Sequence, residues 1–239
     1  MRRIASPVAS APAVASSHYL RAVGAILWKD LSAELRSKEL LSAMVVFALL
    51  VILIFNFALI VNPAALAEVS AGVLWVTTIF TGTLGLNRSL AAEKDRGSLD
   101  GLLLAPVDRS AIYFGKALGN LLFILIVEAV ILPLFAILFN VPMVQPLVVA
   151  VVVLGAVGYS AVGTLLASLA VHSRSRDVML PILLFPVAVP VLIAAVRATA
   201  GILGQSEWAE IAPWLNLLVG YDVIFVAVAF MVFDFVVEE

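Results

Sequence analysis

Two carboxylates inside long apolar segments are the side chains of this sequence with the clearest chemical potential. They are Glu128 and Asp222. An ionisable group is costly at membrane depth, so each one is a candidate functional residue. Glu128 has no basic residue at a matching depth, which leaves protonation, a hydrogen bond between helices or a wet cavity, and we favour the hydrogen bond. Asp222 either forms an ion pair with Arg197, or the two residues are unrelated charges near the same membrane interface.

A charged connection between two apolar segments is the second candidate site. It contains both acidic and basic residues, followed by a Gly-Ser pair that should interrupt a helix and by a run of apolar residues. Pro106 should end this run, and Asp108 is expected to be the N-cap of the next helix. This segment is either a small element that docks on a partner or a plain solvated connector. Its candidate residues are Glu93, Asp95, Arg96, Gly97, Ser98, Leu99 and Asp100.

The composition places these residues in a membrane protein. The chain is 64% hydrophobic and 13% charged, with a mean hydropathy of +1.16. A soluble domain has about 45–50% apolar and about 25% charged residues. This excess excludes a soluble, disordered or fibrous chain, and a net charge of −2 argues against a nucleic-acid partner.

Six apolar segments are long enough to cross a bilayer, which needs about 20 residues each. They are continuous apolar runs without the alternation of β-barrel strands, so they are predicted to be helices. The fold class expected is therefore an all-α polytopic membrane protein with a transmembrane domain over residues 40–239. The segments are residues 40–61, 69–87, 117–139, 147–170, 178–198 and 214–236.

The distribution of Lys and Arg predicts the orientation, because cytoplasmic loops are enriched in both. Thirteen of the 14 basic residues fall before the first segment or in the connections between segments two and three and between four and five. Only Arg197 lies on the other side. Both termini are therefore expected in the cytoplasm.

The N-terminal region divides into two parts. Residues 1–17 are rich in Ala, Ser and Pro and are expected to form a mobile cytoplasmic tail. Residues 18–39 predict an amphipathic interfacial helix, with an apolar stripe that includes Trp28 opposite Arg21, Lys29 and Arg36. Glu34 falls inside the stripe and weakens the pattern. The alternative is a soluble helix that packs on a partner.

Prolines and glycines mark special positions within the apolar segments. Pro181, Pro186 and Pro190 each remove a backbone hydrogen bond, so the fifth segment is expected to kink. Gly115 and Gly119, and the glycines of the fourth segment, offer surfaces for close helix approach. Residues 201–213 could form a short interfacial helix or a re-entrant lid.

Cofactor chemistry finds little support in the sequence. Cysteine is absent, and Gly115-Lys116 lacks the other residues of a phosphate-binding loop. His18 and His172 fall on the cytoplasmic side, whereas Met143 and Tyr159 are better explained by packing than by haem ligation. We therefore expect no catalytic residue, no metal site and no directly bound cofactor.

Two sets of motifs resemble a known family. The pattern Glu-x-Asp-x-Gly-Ser-Leu-Asp-x-Leu-Leu-x-x-Pro over residues 93–106, followed by Gly115-Lys116, is similar to the cytoplasmic signature of type-2 ABC exporter permeases. AGVLW at 71–75, GLNRS at 85–89, GLLLAPVDR at 101–109 and LPILLFP at 180–186 resemble the CcmB family. That family comprises the permeases of the haem export system of cytochrome c maturation.

The resemblance implies a non-catalytic permease in the bacterial inner membrane that dimerises and pairs with a CcmA-type ATPase. Haem is then the possible substrate, ATP is hydrolysed by the partner, and CcmC-, CcmD- and CcmE-type proteins handle haem. It further implies that the Glu93–Asp100 element carries a short helix into the ATPase surface, and that the amphipathic helix is an elbow helix.

Other functions stay open at this point. A type-2 permease could export a glycan, a lipid or a drug. An ion-coupled secondary transporter is a candidate from another class, but it usually has broken helices in two inverted halves, and only the fifth segment is strongly interrupted by proline.

Overall fold

The computed structural model describes residues 13–59, 62, 65–95, 107–170 and 175–236. The candidate residues Arg96, Gly97, Ser98, Leu99 and Asp100, together with Pro106 and His172, lie outside these ranges. Within them, the chain is entirely helical. The helices are α1 (Ala13–Ser37), α2 (Glu39–Ala58), α3 (Leu66–Asp95), α4 (Arg109–Phe139), α5 (Pro146–Ala170), α6 (Arg176–Leu203) and α7 (Trp208–Val236).

The six predicted spans are confirmed, because α2 to α7 are each long and apolar enough to cross a membrane. Several helices extend beyond the hydropathy segments: α3 continues to Asp95, and α4 already begins at Arg109. A hydropathy segment captures only the part that matches the hydrocarbon core, whereas the hydrogen-bonded helix continues into the interface. We call the end of the bundle at which α2 begins, α3 ends and α4 begins the basic end.

The middle of the bundle is formed by α3 and α5, which are mostly buried. Helix α3 contacts α2, α4, α5 and α6, while α2 and α7 lie at the periphery. The outer face of α2 exposes Val46, Leu50, Ile54 and Phe57, as expected for a helix that faces lipid. Helices α3 and α5 therefore form the interior, and α2 covers one side of it with large apolar side chains.

Glycines let large side chains reach the α5 backbone, as the sequence predicts. A Cβ at Gly155 would collide with the Trp75 ring, and one at Gly163 would collide with Leu86. The Trp75 indole also donates a 3.0 Å hydrogen bond to Thr199 Oγ1. Through these contacts α3 packs against both α5 and α6.

Helix α6 runs continuously through Pro181, Pro186 and Pro190. The bend that these residues predict stays a prediction. Residues 201–213 form neither a separate interfacial helix nor a lid, because α6 ends at Leu203 and α7 begins at Trp208. A tight turn joins the two helices: Gln205 has a φ of 56°, and the Ser206 N–H bonds to the Gly201 carbonyl at 2.8 Å.

Candidate functional site

Helix α1 lies directly against the start of α4, in a notch made by glycine. A Cβ at Gly115 would lie 2.8 Å from the Cβ of Ile26 and 3.3 Å from the Val23 carbonyl. Gly119 is looser, since its nearest neighbour would be Asp30 Oδ2 at 3.6 Å. The predicted close approach is therefore present at Gly115, where α1 packs, but not at Gly119.

A buried ion pair fixes α1 in this notch. Lys116 Nζ lies 2.7 Å from Asp30 Oδ2, and the side chains are 3% and 10% exposed. The Lys29 ammonium, which is 45% exposed, lies 3.4 Å from the other oxygen of Asp30. A buried charge that loses its partner is strongly destabilising. Lys116, which follows glycine in the sequence, is thus used in helix packing.

Glu34 fixes the other end of α1, at the junction with α2. Its Oε1 accepts a 2.8 Å hydrogen bond from the N–H of Leu41 in the first turn of α2. Lys38 makes the corner between the helices with a left-handed φ of 56°. A carboxylate at this position satisfies an unpaired N–H and interacts favourably with the positive end of the helix dipole. Glu34, a misfit in the apolar stripe, is therefore the cap of the first span.

The apolar stripe of α1 is divided between two surroundings. Val23 and Ile26 are buried on the α4 side, whereas Leu20, Trp28 and Leu35 are exposed. The exposed apolar residues suit an interfacial helix, and the buried ones suit a packed helix. Helix α1 therefore packs on another element of its own chain along one side, and the interfacial position of its exposed side stays a prediction.

The charged connection begins at the end of α3. Glu93 and Asp95 lie in its last turn, and α4 begins at Arg109. Asp108 occupies the N-cap position, as predicted, although its side chain makes no cap hydrogen bond. Lys116 follows Arg109 by about two helical turns. The connection thus leads within a short distance to the ion pair with α1.

Glu128 makes the inter-helix hydrogen bond that the sequence favours. Its Oε1 accepts a 2.5 Å hydrogen bond from Thr78 Oγ1 of α3, and that hydroxyl also lies 3.0 Å from the Leu74 carbonyl. The carboxyl is buried, and its Oε2 has no partner among the described residues. The contact joins α3 to α4 at membrane depth.

Asp222 does not pair with Arg197, which was one of the two alternatives that the sequence left open. Arg197 is exposed, whereas Asp222 is buried against Gly158 of α5, and neither of its oxygens has a hydrogen-bond partner in the described part of the chain. The sequence could not decide between the alternatives, because depth along two helices does not specify how each is rotated about its own axis. Asp222 also lies at the middle of α7 and not in its outer part, since α7 begins at Trp208.

The two side chains considered as haem ligands are buried within the bundle, and one of them is hydrogen-bonded there. Met143 is fully buried, and the Tyr159 hydroxyl lies 2.6 Å from Thr83 Oγ1 and donates to the Ile79 carbonyl at 2.9 Å. The described residues contain no group of three or more His, Cys, Asp or Glu side chains that could hold a metal ion.

Asp30, Glu34 and Thr78 are structural partners that the sequence did not predict. Asp30 and Glu34 did carry a signal, because they lie one turn apart on the side of α1 that also presents Val23 and Ile26. Acidic residues beside apolar ones on an amphipathic helix indicate a contact with another protein element. Thr78 gave no such signal, since threonine is common in membrane helices.

Comparison with known proteins gives a consistent result. The family model described as CcmB protein matches residues 21–238. Heme exporter protein B of Rhodobacter capsulatus is 31% identical over 170 residues, which cover 71% of this chain and 78% of the relative. The proteins of the same name from Paracoccus denitrificans and Pseudomonas aeruginosa are 30% and 29% identical, over 73% and 66% of this chain and 80% and 71% of theirs.

Proposed function

Because the chain belongs to the CcmB family, we propose that it is the permease subunit of an ATP-driven haem export system of cytochrome c maturation. The observation that carries the proposal is the family match along nearly the whole chain. Six helices able to span a membrane support it. The subunit is non-catalytic, and haem is its cargo or that of its immediate neighbours.

ATP hydrolysis belongs to a separate CcmA-type subunit. Gly115 packs against Ile26, and Lys116 forms the ion pair with Asp30. Both residues therefore serve helix packing and not phosphate binding. A transporter of this kind needs two membrane halves, which a second copy of the chain supplies. CcmC-, CcmD- and CcmE-type proteins complete the haem-handling assembly.

The ATPase docks at the connection between α3 and α4. The element from Glu93 to Asp100 combines charge with apolar residues, which suits a protein interface in which charges select the partner and leucines supply contact area. A displacement of this element moves the start of α4. The Lys116–Asp30 pair passes the displacement to α1, and Glu34 passes it to the start of α2. The ATPase can therefore act on the first and third spans together.

The orientation follows from the basic residues. With the basic end in the cytoplasm of a bacterial inner membrane, 13 of the 14 Lys and Arg residues lie on the side that the positive-inside rule requires. A reporter fused after Glu239 should report a cytoplasmic location, and one inserted in the turn at residues 140–145 should report a periplasmic one. The opposite pattern would overturn the orientation.

The decisive experiment reconstitutes the system. The chain should co-purify with a CcmA-type ATPase, and ATP turnover in the complex should accompany release of a haem-loaded CcmE-type chaperone. A chaperone-release defect with a hydrolysis-deficient ATPase is the matched control. If the purified chain moved a substrate in vesicles without any ATPase, the proposal would be wrong.

A further inference from the structure

Asp222 places a carboxyl group at the middle of the bundle. It lies halfway along α7, about 21 Å from either end of the helix. Gly158, its contact on α5, lies halfway along that helix as well. Both helices are candidate spans, so the contact lies well inside the bundle and away from both of its ends. The proposed function makes no use of this group.

The carboxyl is enclosed but makes no conventional hydrogen bond. Asp222 is 7% exposed, and Oδ1 and Oδ2 lack a partner among the described residues. A Cβ on Gly158 would collide with Oδ1, so the oxygen rests where the Cα hydrogen of glycine points. A C–H···O contact of this kind is weak. Glycine thus creates the space for the carboxyl without satisfying it.

Among the described residues, no cation faces this carboxyl from the helices packed around it. Helix α5 contains no Asp, Glu, Lys, Arg or His, and the hydroxyl of its Tyr159 bonds to α3. The exposed Arg197 lies on α6, which carries its other charges, Arg176 and Asp177, in the first turn at the basic end.

The remaining polar groups nearby are directed elsewhere. On α4, Lys116 pairs with Asp30, Glu128 contacts Thr78, and Arg109 lies at the basic end. The Tyr221 hydroxyl donates to the Val187 carbonyl of α6 at 2.9 Å. The described residues therefore supply no second oxygen cluster for a metal ion, which needs several ligands.

We propose that Asp222 is an intramembrane proton-binding site and that its proton holds α7 against α5. A proton requires no extra space and no further ligand, and it removes the charge that would be costly at this depth. On release of the proton, the carboxylate must reach water. Hydration requires α7 to separate from Gly158. The α5–α7 contact is therefore closed when Asp222 is protonated and loosened when it is ionised.

Infrared spectroscopy of the full chain in lipid nanodiscs tests the proton directly. At neutral pH, the wild-type protein should show the C=O stretch of a protonated Asp222, and Asp222→Asn should lose that band. Glu128→Gln controls for the other buried carboxyl and should leave the Asp222 band in place. The wild type alone supplies a second measurement, because the band should disappear at alkaline pH. Identical acid bands in wild type and Asp222→Asn would overturn the proposal.

Stability measurements test the link to helix packing. The folded protein holds a proton that the unfolded chain releases, so the Tm of the wild type should fall as the pH rises above about 4, the ordinary pKa of an aspartate, until Asp222 ionises in the folded state as well. Asp222→Asn should reduce this pH dependence and should melt no lower than the wild type at neutral pH. Gly158→Ala should lower the Tm, whereas Gly220→Ala, which meets open space on α7, should not. Equal pH dependence of wild type and Asp222→Asn would contradict the proposal.

Discussion

Lys116 of α4 and Asp30 of α1 form a buried ion pair of 2.7 Å that joins the interfacial helix to the third span. The pair lies beside the Gly115 notch, where the two backbones approach most closely. Geometry and charge thus hold the same two helices at one place. The following predictions test this contact, the proposed ATPase site and the interior of the bundle.

Removing one partner of the ion pair should destabilise the protein. Asp30→Asn removes the carboxylate that lies 2.7 Å from the buried Lys116 ammonium, and the expected loss is about 3–5 kcal/mol of unfolding free energy. Lys29→Met, which removes the exposed partner of Asp30, should change stability by less than about 1 kcal/mol. Denaturation in detergent micelles measures both variants. Equal losses would show that burial of the pair contributes nothing.

The two glycines of the notch should differ in their tolerance of alanine. Gly115→Ala forces a Cβ into contact with Ile26 and with the Val23 carbonyl, so α1 must shift, at an expected cost of about 1–3 kcal/mol. Gly119→Ala meets its nearest atom at an ordinary distance and should be tolerated. Thermal unfolding and limited proteolysis within α1 compare the variants. A larger effect at Gly119 would contradict the packing.

The contribution of the Glu34 cap to stability should be measurable with a matched pair of variants at the α1–α2 junction. Glu34→Ala removes the acceptor of the Leu41 N–H and should cost about 0.5–2 kcal/mol. Glu39→Ala removes an exposed carboxylate from the same helix start and should cost less. The free energy of unfolding of each variant is the measurement. If Glu39→Ala cost as much as Glu34→Ala, helix dipole effects alone would explain the data.

Charge reversal in the α3–α4 connection tests the ATPase site. Glu93→Lys with Asp95→Lys should weaken ATPase binding or uncouple ATP turnover from chaperone release. Membrane insertion should persist, because added positive charge agrees with a cytoplasmic connection. Co-purification, ATP turnover and reporter fusions measure the three properties. Normal binding and normal cytochrome c assembly would show that these carboxylates form only a solvated face.

The Thr78–Glu128 contact should stabilise the middle of the bundle. Thr78→Val leaves the buried Glu128 without its hydroxyl partner, at an expected cost of about 1–3 kcal/mol. Thr77→Val is the control, since the Thr77 hydroxyl donates to the Val73 carbonyl of its own helix and to no other helix in the described part of the chain. Unfolding of both variants in the same micelle separates the inter-helix bond from the general loss of a hydroxyl.

The six spans could be predicted because the length of an apolar segment can be read directly from the sequence. The glycine contacts could be predicted because two helices approach closely only where side chains are small. The sequence could not predict which side of α1 faces α4, since helical periodicity groups Val23 with Trp28 although one is buried and the other exposed. It also misplaced Asp222. Its depth was counted from residue 214, but the helix begins at Trp208, and the rotation of α7 turns the carboxyl towards Gly158.

The length of α3 has a consequence for how a soluble protein can act on the bundle. The helix runs without a break from Leu66 through Arg88, the first basic residue of the connection, to Asp95, so about 10 Å of helix follow Arg88. Glu93 and Asp95 thus belong to the same helix whose middle is buried in the bundle. With the basic end in the cytoplasm, as we propose, a force that a partner applies to the connection is transmitted into the bundle along one continuous helix.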